Sequence, residues 1–228
     1  MTIHLLREIE KLKGNILFLG ALVEENVRRA VKAIEERDVA MAKKIIEDDN
    51  EIDKKEVEIE EECLKILALH QPVAKDLRFI VAVLKINNDL ERVGDMAVNI
   101  AERTFSLAKY PSAFKHFNLG WMAHKATAML QKALDSMVNM NSGRAREVGG
   151  EDDEVDEMKA RIYENVKNMI IKEPSRTEEL LQYLLTARHL ERIADHATNI
   201  AEDVIYMLEG EIVRHQFPKK WGSNEKHI

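Results

Sequence analysis

The sequence has few of the residues that build turns, strands and disulfides. Its 228 residues include 9 Gly, 4 Pro and 1 Cys, and aromatic residues make up only 5%. Scarce Gly and Pro, together with 33% charged residues, favour long helices over strands and turns. The lone Cys63 has no partner for an internal disulfide or a CxxC zinc site, so we expect a small buried hydrophobic residue there. The composition predicts an all-α protein.

An excess of positive charge and a long apolar run are also missing. With 34 basic against 41 acidic side chains, the net charge of -7 provides no broad positive surface for phosphate backbones, which disfavours nucleic-acid binding. The first residues, MTIHLLREIEKLKGN, lack the apolar run of a signal peptide, and no stretch of about 18 apolar residues follows. We expect a cytoplasmic protein without a transmembrane segment.

Apolar residues recur every three or four positions through most of the chain, which is the spacing of one helix face. The first such stripe covers residues 9–34. Asp38 is a suitable N-cap for a second helix, which should end near His70 because Pro72 follows. The weakest helical prediction is the glycine-containing stretch 144–150. The other predicted helices span about 74–109, 112–140, 141–172 and 175–209, with Gly210 at the C′ position of the last.

Internal repetition is the strongest signal in the sequence. Residues 89–102 read DLERVGDMAVNIAE and residues 189–202 read HLERIADHATNIAE, identical at nine of fourteen positions. Upstream, DDNEID at 48–53 matches EDDEVD at 151–156. Each half therefore carries three helices in the same order, and we predict two tandem three-helix bundles related by a pseudo-twofold axis. The predicted segments are residues 1–110 and 111–210 for the two repeats and 211–228 for a polar C-terminal tail.

Acidic residues at positions i and i+4 occur at matched places in both halves, where they project from one face of each helix. The four pairs are Asp49 and Asp53, Glu91 and Asp95, Asp152 and Asp156, and Glu191 and Asp195. Like charges at this spacing repel, and one such pair is ordinary surface, whereas four matched pairs need an explanation. If the helices of one half face each other here, four carboxylates converge and require protonation or bound cations. All-oxygen ligation suits Mg²⁺, Ca²⁺, Mn²⁺ or Fe³⁺ better than Zn²⁺ or Cu²⁺. This pattern is consistent both with metal binding and with a plain acidic surface.

Other residues of the repeated motif also have alternative roles. Arg92 and Arg192 lie beside the acids, where each can form a salt bridge to another helix or hold an anion such as phosphate. His189 and His196 occur only in the second copy of the motif, so neither can be essential to a site that both halves share. A metal contact from His196 in one half alone is still consistent with the sequence.

The doubled motif LERxxDxxxNIAE, at 90–102 and 190–202, resembles the PhoU family, as does the DxxxD pattern on the preceding helix. The resemblance covers the chain up to about Gly210. It implies a cytoplasmic, usually dimeric accessory protein that represses the phosphate-starvation response. Such a protein would link the ATP-binding subunit of the phosphate ABC transporter to a sensor histidine kinase, and it would reach the membrane only through these partners.

The resemblance also implies metal clusters held by paired E(D)xxxD motifs, with multinuclear iron as the expected cofactor and manganese or magnesium as alternatives. Asn99 and Asn199 would hydrogen-bond a ligating carboxylate or a metal-bound water, with Arg92 and Arg192 beside them. By matching position, the implied ligands are Asp49, Asp53, Glu91, Asp95, Asp152, Asp156, Glu191 and Asp195.

Two other functions are considered. A carboxylate-bridged di-iron enzyme in a helical bundle would use Glu-x-x-His pairs, and no Glu of this sequence is followed three residues later by His. The sequence also lacks a Walker loop, so we expect no enzymatic activity. The remaining alternative is a metal-free helical scaffold, in which the repeated acids are surface and the doubled motif preserves only packing.

Overall fold

The structure is a computed structural model that describes residues 3–110 and 117–213. Within these two ranges the chain forms six long α-helices and no strand, which confirms the prediction of an all-α fold. A 3₁₀ turn at Pro174–Arg176 precedes the last helix. The helices are α1 (Ile3–Glu36), α2 (Val39–His70), α3 (Ala74–Leu107), α4 (Leu119–Val138), α5 (Ser142–Lys172) and α6 (Thr177–Glu209).

The second helix of each half begins at a matched N-cap. The Asp38 carboxylate accepts a hydrogen bond of 2.9 Å from the backbone N–H of Met41 at the start of α2. The Asn141 side chain accepts one of 3.0 Å from the N–H of Arg144 at the start of α5. Each bond satisfies one of the backbone donors that the first turn of a helix leaves free. Gly210, with a φ of 79°, ends α6 in the left-handed conformation that glycine adopts without strain, as predicted.

Several helix boundaries differ from the predicted ones. The first helix starts six residues earlier than predicted, because the buried Leu5 extends its apolar stripe. The fourth helix starts at Leu119 and not near residue 112, since Asn118 adopts a left-handed conformation with a φ of 48° that a continuous helix cannot contain. Residues 112–116 of that predicted helix, and 214–228 of the predicted tail, lie outside the described residues. The stretch 144–150 is helical, because Ala145 and Val148 are buried in the core.

The packing of the helices repeats between the halves. Helices α1, α2 and α3 pack on one another, and α4, α5 and α6 do the same. Between the halves, α1 contacts α4 and α3 contacts α6. Contacts between counterpart helices are consistent with a pseudo-twofold axis, and the same packing in both halves confirms the predicted arrangement of two related three-helix bundles. None of the helices in the described ranges is long and apolar enough to cross a membrane.

Buried side chains join the two halves into one body. Apolar residues from all six helices form one continuous core. At the edge of that core, the fully buried Glu179 of α6 accepts hydrogen bonds from Arg37 Nη2 at 3.0 Å and from Arg176 Nε at 2.9 Å. Arg37 also donates to the hydroxyl of Tyr183 at 2.8 Å. Since Arg37 lies in the turn between α1 and α2, this network ties the first half to the second.

Candidate metal centre between paired helices

A close approach of α2 and α3 positions the acids of the first half. A Cβ atom added to Gly94 would lie 3.3 Å from Asp49 Oδ1 and 3.2 Å from Ile52 Cγ2, tighter than ordinary van der Waals contact. Two turns earlier on α3, the buried Asn87 donates through Nδ2 to the backbone carbonyl of Glu56 at 2.9 Å and to its carboxylate at 3.3 Å. The small Gly94 and the Asn87 hydrogen bonds therefore fix the register in which α2 faces α3.

The electrostatics show that the four acids predicted in the first half act on one another. Burial, together with the charges of Asp53, Asp95 and Glu91, raises the pKa of Asp49 to about 6. Burial also raises the pKa of Glu91, with Asp95 adding to the rise and the neighbouring guanidinium of Arg92 opposing it. The structure therefore brings these carboxylates into one charged group, which we call the α2–α3 cluster.

Glu56 is a further member of the α2–α3 cluster that the sequence analysis did not include. Its carboxylate is half-buried, and its charge contributes to the raised pKa of Glu91. Burial raises the pKa of Glu56 itself, as do the charges of Glu60 and Asp53. Its position three residues after Asp53 and seven after Asp49 places it on the same helix face, which is the signal that could have found it.

One carboxylate oxygen of the α2–α3 cluster is buried without a hydrogen-bond donor in the described residues. Asp49 Oδ1 is buried and has no hydrogen-bond partner within the part of the chain that the structure describes. A buried carboxylate oxygen in this situation is costly unless a donor or a cation neutralises it. The all-carboxylate donor set suits a hard cation such as Mn²⁺, Mg²⁺ or Fe³⁺. The residues of the first half therefore fit the metal that the resemblance implies.

The cluster is not preformed around a metal position. Among residues 3–110 and 117–213, no three His, Cys, Asp or Glu side chains are already placed to hold a metal ion. Carboxylates that repel one another turn apart, and Asp53 and Asp95 are exposed on the surface of their helices. Because both are exposed, their side chains have room to rotate toward a cation.

The predicted supporting residues lie beside the acids with partners of their own. Asn99 donates through Nδ2 to the backbone carbonyl of Asp95 at 2.8 Å and not to a carboxylate. Arg92 donates through Nε to Asn88 Oδ1 at 3.2 Å. In the second half Arg192 and Asn199 are exposed. Asn99 thus braces the backbone that carries Asp95, and a direct role for any of the four at a metal stays a prediction.

Three of the four corresponding acids of the second half act on a lysine. Lys159 Nζ of α5 lies 2.7 Å from Glu191 Oε1 and 3.7 Å from Asp156 Oδ1. Burial acts to lower the pKa of Lys159, but the hydrogen bond to Glu191 and the charges of Glu191, Asp156 and Asp195 raise it overall. Asp152, the fourth predicted ligand, is buried. We call this group the α5–α6 cluster; it differs from its counterpart by containing its own cation.

The two histidines of the second motif have structural surroundings that account for them. His196 Nδ1 lies 2.7 Å from Asp89 Oδ1, which links α6 to α3 across the two halves. His189 is held neutral, because its pKa is lowered to about 4 by burial and by the positive charges of Arg103, Arg192 and Arg188. These contacts are consistent with the expectation from the sequence that neither histidine belongs to a site shared by both halves.

A surface cleft of about 820 Å³ lies between α5 and α6. Lys159, Glu191 and Asp156 line one part of it, and Leu184 and Tyr163 line another. The α5–α6 cluster therefore lies at the edge of a groove that solvent can enter. The sequence analysis did not predict this cleft, because a groove depends on how far apart two helices lie and not on the pattern within either one.

Comparison with known families gives a match in each half of the chain. The PhoU domain model matches residues 16–104 and 119–204. The phosphate-specific transport system accessory protein PhoU homolog of Aquifex aeolicus is 38% identical over 218 residues, covering 96% of this chain and 99% of the relative. The homolog of Clostridium acetobutylicum is 36% identical over 211 residues, covering 90% of this chain and 94% of the relative.

Solved structures show the same architecture. The crystal structure of PhoU from Pseudomonas aeruginosa superposes with a TM-score of 0.85 at 34% identity, covering 90% of this chain and 99% of that one. The phosphate transport system regulatory protein PhoU from Streptococcus pneumoniae also gives a TM-score of 0.85, at 30% identity, covering 92% and 99% of the two chains. The doubled three-helix arrangement is therefore shared over nearly the whole length.

Proposed function

This chain belongs to the PhoU domain family, and from that premise we propose that it is a negative regulator of the phosphate-starvation response. The observation that carries the proposal is the family match in both halves, with relatives covered over almost their full length. Those relatives are named as accessory or regulatory proteins of phosphate transport and not as enzymes. The chain is accordingly an accessory protein of phosphate uptake, and repression of the starvation response is its proposed role within that system.

The proposed partners are the ATP-binding subunit of a phosphate ABC transporter and a sensor histidine kinase, which the chain would link on the cytoplasmic side. The names of the relatives support an association with the transport system. A homodimer is the proposed assembly, by the resemblance to the family. Two related halves suit such a linking role, because the repeat presents similar surfaces and each half can contact a different partner.

The α2–α3 cluster is the proposed metal site of this regulator. Asp49 and Glu91 would hold the ion from the helix interface, with the exposed Asp53 and Asp95 turning inward and Glu56 beside them. The metal supplies positive charge that offsets the repulsion among these carboxylates. The buried, unpartnered oxygen of Asp49 supports this proposal. Multinuclear iron is the expected occupant, and manganese and magnesium are the alternatives.

The regulatory role can be tested in a bacterium that lacks its own regulator of this family. A reporter of the phosphate-starvation response is then measured in phosphate-rich medium. The native chain should restore repression, and the Asp49→Asn/Glu91→Gln variant should restore it only in part. Glu51→Gln, which changes an exposed acid between Asp49 and Asp53 on the same helix, is the matched control and should behave as the native chain.

Each result of this experiment has a distinct meaning. A native chain that is expressed, folded and unable to repress would contradict the proposed role. Full repression by Asp49→Asn/Glu91→Gln would leave the regulator standing and reassign the acids to ordinary surface, as in the metal-free scaffold. Copurification of the ATP-binding subunit and of the kinase with the native chain tests the partners separately.

A further inference from the structure

The two acidic clusters differ at one matched position that reverses the sign of a charge. The offset of 103 that pairs Asp49 with Asp152 and Asp53 with Asp156 also pairs Glu56 with Lys159. In the first half, Asn87 of α3 holds Glu56 by hydrogen bonds to both its backbone and its carboxylate. The counterpart of Asn87 at the offset of 100 is an alanine, Ala187, which cannot do so. The neighbour on the facing helix therefore changes together with the charge.

The lysine reaches the centre of its cluster. Its ammonium lies 2.7 Å from Glu191 Oε1, a charge-assisted hydrogen bond, and 3.7 Å from Asp156 Oδ1. The side chains of Glu191 and Asp156 are each 15% exposed, so this contact lies between the helices and not at their outer surface. When Glu56 is counted with the four predicted acids, the α2–α3 cluster holds five carboxylates and no ammonium at these matched positions. With Lys159 at the matched position, the α5–α6 cluster holds four carboxylates and one ammonium.

We infer that Lys159 is the cation of the α5–α6 cluster and that the chain binds metal only in its first half. This inference rests on the proposed function, in that the α2–α3 cluster is taken as the metal site. In the predicted ligand set of the second half, Asp156, Glu191 and Asp195 are then partners for a lysine, and Asp152 is the buried fourth member.

An ammonium and a hard cation compete for the same carboxylate oxygens. A metal ion between Asp156 and Glu191 would have to break the Lys159–Glu191 hydrogen bond, and it would lie within a few ångströms of a second positive charge. Within the described residues, no lysine or arginine forms an ion pair with Asp49 or Glu91 of the α2–α3 cluster. Arg92, whose charge lowers the pKa of Glu91, has an exposed side chain. The same acidic motifs therefore have different consequences in the two halves.

The test is a titration of the full, metal-stripped chain with Mn²⁺ alone, scored by equilibrium dialysis and by the shift in melting temperature. Two backgrounds isolate the clusters: Asp49→Asn/Glu91→Gln removes the first and Asp156→Asn/Glu191→Gln removes the second. The Asp49→Asn/Glu91→Gln variant should lose Mn²⁺ binding, and the Asp156→Asn/Glu191→Gln variant should bind Mn²⁺ as the native chain does. Adding Lys159→Glu to the first background should create a new site, and Glu56→Lys in the otherwise native chain should weaken binding by roughly 10–100-fold. Lys167→Glu, an exposed lysine on the same helix, is the control of equal charge change.

A metal-free arm separates this inference from the proposed metal site. In the presence of a chelator, Lys159→Gln should lower the melting temperature, because the carboxylates lose their cation, whereas Lys167→Gln should not. Mn²⁺ binding that survives Asp49→Asn/Glu91→Gln and is lost on further adding Asp156→Asn/Glu191→Gln would overturn the inference while leaving metal binding intact. No binding by the native chain would reject the proposed metal site, and unchanged melting of Lys159→Gln would then reject the role of the lysine as well.

Discussion

At the scale of single residues, Asp49 carries the largest electrostatic cost of the α2–α3 cluster. Its pKa rises from 3.8 to about 6 through burial and through the three neighbouring acids. Since the folded-state pKa exceeds the unfolded one, the folded protein binds more protons between about pH 4 and 6. Stability therefore falls as the pH rises through this window, and the cost is fully present above pH 6.

The Asp49→Asn variant should remove this cost in the metal-free protein. We expect it to be more stable than the native chain at pH 7 by about 1 kcal/mol, after allowance for the partial exposure of the group, and to differ little at pH 4. Urea denaturation in the presence of a chelator, repeated at both pH values, measures the difference. Glu51→Gln should show no such pH dependence. Loss of stability at pH 7 in Asp49→Asn would contradict this account of the cluster.

The sequence predicted the acid pairs and missed the residues that distinguish the halves. Asp49 and Asp53 could be found because their spacing is repeated at Asp152 and Asp156. Glu56 and Lys159 could not be found by similarity, since their side chains have opposite charges, although the offset of 103 places them at matched positions. A search for repeats reports what two copies share, whereas the chemistry of a site also depends on where they differ.

At the scale of the elements, the approach of α2 to α3 depends on the absence of a side chain at Gly94. Replacing it with leucine should force the helices apart, because even a Cβ would contact Ile52 and Asp49 at 3.2–3.3 Å. We expect Gly94→Leu to lower the free energy of unfolding by about 1–3 kcal/mol, the range for overpacking, and to weaken metal binding.

Gly14 provides the control for that substitution. A Cβ at this exposed position on α1 meets nothing within 4 Å, so Gly14→Leu should be neutral or stabilising by up to about 1 kcal/mol through helix propensity. Chemical denaturation of both variants measures the contrast. Equal effects at the two positions would show that helix propensity decides the outcome and that the helices are not in tight contact at Gly94.

The two N-caps should make equal contributions. Asp38→Ala and Asn141→Ala each remove one hydrogen bond to a backbone N–H in the first turn of α2 or α5, so each should cost about 1 kcal/mol of folding free energy. Replacement of either cap by serine, which can accept the same bond, should restore most of the loss. Denaturation midpoints of the alanine and serine variants check this directly, and no loss in either alanine variant would show that the caps are dispensable.

Helix positions could be predicted well where an apolar stripe and a cap coincide, as in α2. The start of α4 could not, because apolar spacing continues past Asn118 while the backbone there turns into the left-handed region. Asparagine tolerates that conformation better than most residues, but its presence alone does not require it. The weak stretch in α5 shows the opposite case, since burial of Ala145 and Val148 outweighs the low helix propensity of the nearby glycines.

At the scale of the whole molecule, the pairings of α1 with α4 and of α3 with α6 make the two halves one body. The repeat in the sequence predicted two related bundles, but it carried no information on which helices meet between them. Long-range contacts such as Arg37 with Glu179 also join the halves, and neither residue belongs to the repeated motif.

Glu179→Ala should weaken the whole fold and not only α6. It would remove the buried carboxylate that accepts a hydrogen bond from the guanidinium of Arg37, and the expected cost is about 3 kcal/mol. Urea denaturation followed by circular dichroism should show one shifted transition. Glu178→Ala, at the exposed neighbouring position, should change the stability by less than about 0.5 kcal/mol. Two separate transitions in Glu179→Ala would show that the halves fold independently.

The most direct test of the proposed metal site is anomalous diffraction at the manganese edge from crystals of the full chain grown with Mn²⁺. The account predicts an anomalous peak between α2 and α3, within coordination distance of Asp49 and Glu91, and no peak between α5 and α6, where the Lys159 ammonium lies. Fully ordered helices with no peak beside Asp49, or a peak found only beside Glu191, would contradict it.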